Sequence, residues 1–102
     1  MITTFALEEQ AKHLQSMCVS GEIEINGVTK VVPLTSMRVG NKVRFFLHVA
    51  AEDIGQITRR IIKTMKGDVC WSDPPGSFNL IKNDVDMRIE IPVELMWKGV
   101  NP

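Results

Sequence analysis

Leu7, Ala11, Leu14 and Cys18 lie at i, i+4, i+7 and i+11, one face of a 3.6-residue period. Glu8, Glu9, Lys12 and Gln15 fall on the opposite face. This spacing predicts a first helix, with Thr4 as its N-cap and Gly21 ending the segment.

The period then changes to two. Glu22-Ile23-Glu24-Ile25 alternates polar and apolar, Asn26-Gly27 supplies the two positive-φ positions of a type I′ turn, and Val28 to Val32 returns. Pro33 lacks an N–H, so the return strand stops there or lies at an edge. A second hairpin is expected around Gly40-Asn41, from Ser36–Val39 into Lys42–Val49. Val43, Phe45, Leu47 and Val49 share one face of its second arm, and Arg44, Phe46 and His48 share the other.

Helical spacing returns at Ile54, Ile57, Ile61 and Met65, widened by Ile62. Asp53 and Gln56 stand at capping-box spacing, and Gly67 suits a C′ position. A second helix is predicted there. After a short Pro-Pro-Gly loop, Phe78–Lys82 and Asp86–Met96 read as a final hairpin turning near Asn83-Asp84.

The expected fold is α+β: a mainly antiparallel sheet built from hairpins, with two helices packed on one face. If Ile2 to Ala6 is also extended, the order becomes β-α-β-β-α-β, the ferredoxin-like order. The 102 residues suit one domain, and 44% apolar against 24% charged residues is a globular balance.

Charge narrows the partners. Twelve basic residues offset twelve acidic ones, which argues against a general polyanion binder and removes one barrier to self-association. No run approaches the roughly 18 apolar residues needed to span a membrane, and the first residues lack a basic, apolar leader pattern. The expectation is a cytoplasmic protein with no membrane partner. In that setting Cys18 and Cys70 are expected as free thiols serving as small hydrophobes.

Four groups of residues could carry function. Arg59, Arg60, Lys63 and Lys66 cluster at the end of the expected second helix. With Arg59, Lys63 and Lys66 at i, i+4 and i+7, that face could touch phosphates; cations there also complement a helix dipole. Arg44 and Phe46, beside His48, set an aromatic between cations, the chemistry of base-stacking surfaces. Trp71, Asp73, Pro74 and Pro75 form the most distinctive loop, because Trp buries large area at little entropic cost; Trp71 could equally close the edge of the core. Glu22 and Glu24 with Glu90 and Glu94 would form an acidic surface if their strands were neighbours.

Catalytic signals are weak. Cys70, His48 and Asp73 supply the residue types of a thiol triad, but nothing in the spacing brings them together. Two histidines and no CxxC or HxxxH spacing give no metal site, and no nucleotide-binding glycine motif suggests a cofactor. The expected function is therefore non-catalytic: a protein-interaction domain meeting another protein chain, its own copy included, through a sheet edge and the Trp71 loop. The alternative is a nucleic-acid-binding accessory protein using the basic face of the second helix.

Overall fold

A computed structural model describes residues 2–96. Among these residues one helix, α1 (Thr4–Met17), precedes eight strands: β1 (Ser20–Ile25), β2 (Val28–Val32), β3 (Leu34–Val39), β4 (Lys42–Val49), β5 (Gly55–Lys63), β6 (Val69–Ser72), β7 (Leu80–Lys82) and β8 (Met87–Glu94). They form two antiparallel sheets. The first runs β2-β1-β5-β6, with β7 also on β5; the second runs β3-β4-β8. Ile23, Ile25, Ile57 and Ile62 of the first sheet meet Val43, Phe45, Leu47, Val49, Ile89 and Ile91 of the second in one buried cluster.

The expected second helix is absent, and with it the arrangement of two helices on one sheet face. Residues 55–63 are instead the strand shared by β1, β6 and β7. The misleading spacing has a local cause. Pairing with β1 shifts between Glu24↔Arg59 and Ile25↔Ile57, so Thr58 is an extra residue at a β-bulge. The bulge moves the later residues by one face. Ile57 and Ile62, five apart, therefore both point inward, and a broken period of two mimics a period of 3.6. The β-branched Ile-Ile-Thr content favours the strand.

Other boundaries also move. Thr3, not Thr4, caps α1, its Oγ1 accepting from Ala6 N at 3.2 Å. Thr4 to Ala6 are already helical, so the strand considered over Ile2 to Ala6 does not form and the ferredoxin-like order fails. Gly21 lies inside β1, where a Cβ would overlap Leu47 of the opposite sheet. The final hairpin is also absent: β7 pairs β5 and β8 pairs β4. Because β6 occupies only Ile61–Lys63 along that edge of β5, β7 takes the vacant stretch Gly55–Ile57.

The first two hairpins form as expected. Asn26 and Gly27 have φ of 53° and 79°, and Ile25 faces Val28. Val39 faces Lys42 around Gly40. Pro33 is the crossing point from the first sheet to the second, and Pro92 sits on an edge strand, where its missing N–H breaks no ladder.

The first turn is anchored to β5. Asn26 Nδ2 donates to Ile54 O at 3.0 Å, its Oδ1 accepts from Gln56 N at 3.1 Å, and its N donates to Gln56 O at 2.9 Å. Gly55 passes beneath with φ of 143°, and a Cβ there would overlap the Asn26 side chain. Gly55→Ala is expected to cost about 1–3 kcal/mol through strain and loss of this clamp, read from the shift in the urea midpoint.

Candidate functional site

The residues singled out in the sequence divide between two edges and two faces. Arg60 is the centre of the most developed cluster. It pairs with Ile23, so its side chain leaves β5 on the inner face. Its guanidinium lies 3.9 Å from the Phe78 ring centre and 5.1 Å from that of Trp71. Asp73, only 4% exposed, closes the cluster. Its Oδ2 accepts from Arg60 N at 2.8 Å and Nε at 2.9 Å, and its Oδ1 accepts from Nη2 at 2.8 Å. Burial pushes the Asp73 carboxyl up, but Arg60's side-chain and main-chain hydrogen bonds, with the charges of Arg60 and Arg59, outweigh it and hold the pKa below the usual 3.8.

This geometry alters the reading of the Trp71 loop. Trp71 belongs to β6, is half-buried, and packs against the core. Asp73 is committed to Arg60. Of the four residues singled out there, Pro74 and Pro75 stand exposed, on a turn in which Ser77 N donates to Pro74 O at 3.1 Å. Phe78 completes the aromatic cradle and had no distinguishing sequence signal, since it opened an apparent strand.

The basic cluster is dispersed. Arg60 points inward, Lys63 pairs with Glu22 at 2.9 Å, and Lys66 is exposed in the turn between β5 and β6. Arg59 Nη2 reaches Ser72 Oγ at 3.4 Å, while its Nε is a buried donor with no hydrogen-bond partner among the described residues. Residues 55–63 are a strand, so the helical basic face expected there does not form.

Arg44 and Phe46 do share the outer face of β4, as the alternation predicts. Phe46 is nevertheless buried, with Arg44 and Arg88 guanidinium groups 5.5 and 4.5 Å from its ring centre. Arg44 is also paired with Glu90. The ring is covered rather than presented for stacking. His48 Nε2 lies 2.7 Å from Thr35 Oγ1, so His48, Cys70 and Asp73 are held by different partners on different sheets. Glu22 and Glu24 lie on one sheet and Glu90 and Glu94 on the other, so no joint acidic surface forms.

Three further features stand out, of which Pro33 signalled only the edge position of β2. His48, Asp86, Met87 and Arg88 border an open pocket of about 470 Å³. Lys82 is fully buried and donates to Asn83 O at 2.9 Å. The third is the outer edge of β2. In a hairpin with a two-residue turn, Ile25 and Val28 exchange hydrogen bonds, as does every second pair beyond them. Ile23/Lys30 and Gly21/Val32 are then the bonded pairs. Thr29 and Val31 aim their N–H and C=O away from β1, and among the described residues no strand pairs with β2 on that side. Val28 and Val31 are 65% and 68% exposed and point to opposite faces.

No family model matches this chain, and neither the curated proteins nor the solved structures yield a match. Among the described residues, no helix is long and apolar enough to cross a membrane.

Proposed function

We propose that this chain is a small, non-catalytic protein-interaction domain whose β2 edge takes an extended strand from a second copy of itself. The observation that carries the reading is the outer edge of β2, unpaired among the described residues, with exposed valines on both faces. Such an edge offers main-chain hydrogen bonds for affinity and side chains on alternate faces for specificity.

Edges are commonly protected by a charge. Here the one charge on β2, Lys30, is neutralised by its ion pair with Asp53. A chain with twelve basic and twelve acidic residues also carries little long-range repulsion against its own copy. The Trp71 loop lies at the opposite edge of the same sheet, beyond β1 and β5. A partner on β2 therefore does not reach it, and Pro74 and Pro75 are a separate, secondary contact in this proposal.

Sedimentation equilibrium over a wide concentration range tests the reading. Wild-type protein should approach twice its monomer mass. Val31→Pro removes an outward N–H and leaves the β1 ladder intact, so it should stay folded and weaken association at least about tenfold. A wild-type monomer at every concentration, or a variant that associates as strongly as wild type, would overturn it.

A further inference from the structure

We propose that Cys18 and Cys70 form a reversible disulfide, made by exchange with a low-molecular-weight disulfide of the glutathione type, that ties the end of α1 to β6. The two residues are distant in sequence but adjacent in the fold. Cys18 is the C-cap of α1, and the next residue, Val19, donates its N–H to Lys63 O at 3.1 Å. On the other side of β5, Lys63 pairs with Val69 while Ile62 pairs with Trp71. Cys70 is thus the extra residue of a second β-bulge. In an unbroken strand Cys70 and Trp71 would face opposite ways; the bulge lets both pack against the core cluster that contains Cys18. Cys18 is part of that cluster, Cys70 packs against it, and both are free thiols.

The surroundings assign the order of events. Cys70 is half-buried, whereas Cys18 is 5% exposed. Cys70 therefore attacks first: its thiolate bonds to one sulfur of oxidised glutathione and expels one glutathione thiolate. Cys18 sulfur then attacks Cys70 sulfur, the Cys70–glutathione bond breaks, and the second glutathione leaves with the proton from Cys18. Two protein thiols are oxidised and one glutathione disulfide is reduced to two thiols. Burial pushes the Cys18 thiol up, so closure is the slow step and quickens with pH.

The bond would act where the fold is lightly held. Ala11 is the one fully buried residue within α1. A covalent link from its C-cap to β6 closes a long loop and should raise Tm by about 10 °C.

The test is incubation of the folded protein with oxidised glutathione at pH 8, followed by thiol counting and peptide mapping without reduction. The expected result is loss of both thiols, a Cys18–Cys70 cross-linked peptide in a monomeric chain, and full reversal by reductant. Cys18→Ala should stop at the Cys70–glutathione adduct, and Cys70→Ala should react far more slowly. A stable glutathione adduct on the wild-type chain, or cross-links only between chains, would overturn the proposal. So would two thiols that remain unreacted.

Discussion

Asp73→Ala is expected to destabilise the protein by about 3–5 kcal/mol, the cost of removing one partner from a buried ion pair. The carboxylate accepts three hydrogen bonds from Arg60 and offers no oxygen to solvent that the fold does not already use. Without it the guanidinium stays between Trp71 and Phe78 with only a 3.4 Å contact to Glu90 O. Urea denaturation of wild type and variant measures the difference. A loss below about 1 kcal/mol would return Asp73 to the role of a free contact residue. The pH dependence carries the same signature. Because the folded carboxyl lies below 3.8, its contribution is complete above that value and is lost as pH falls through the lowered one. Asp73→Ala should lack this acid-linked step.

The second large effect separates strand from helix along residues 54–65. Ile57→Ala and Ile62→Ala should each cost about 2–5 kcal/mol, because both side chains are fully buried between the sheets. Ile54 and Met65 are 53% and 88% exposed, and truncating either should cost less than about 0.5 kcal/mol. A helical stripe would make Ile54, Ile57, Ile61 and Met65 comparably sensitive. Thermal or urea midpoints for the four variants decide between the patterns.

What the sequence disclosed and what it hid have the same physical origin. Turn chemistry is local, and Asn26-Gly27 and Gly40 marked their hairpins because only a few residues adopt positive φ cheaply. Strict alternation marked the inner faces of β1, β4 and β8. Bulges are not local in that sense. The extra residue Thr58 turned an alternating strand into an apparent amphipathic helix, and Arg59, Lys63 and Lys66, three cations that looked like one stripe, were dispersed with it. The split of β6 and β7 along one edge of β5, and the packing of Cys70 against the cluster that holds Cys18, depend on which distant strands pair, which no window of sequence contains. Trp71 and Asp73 were noticeable as residue types, but their commitment to Arg60 requires the fold.

The central claim is that β2 takes a second copy along its outer edge, and amide hydrogen exchange resolved by residue tests it most directly. In dilute protein the amides of Lys30 and Val32, bonded to β1, should exchange slowly while those of Thr29 and Val31 exchange freely. At high concentration Thr29 and Val31 should become protected at least about tenfold, with little change at Lys30. Free exchange at Thr29 and Val31 at every concentration would contradict the account.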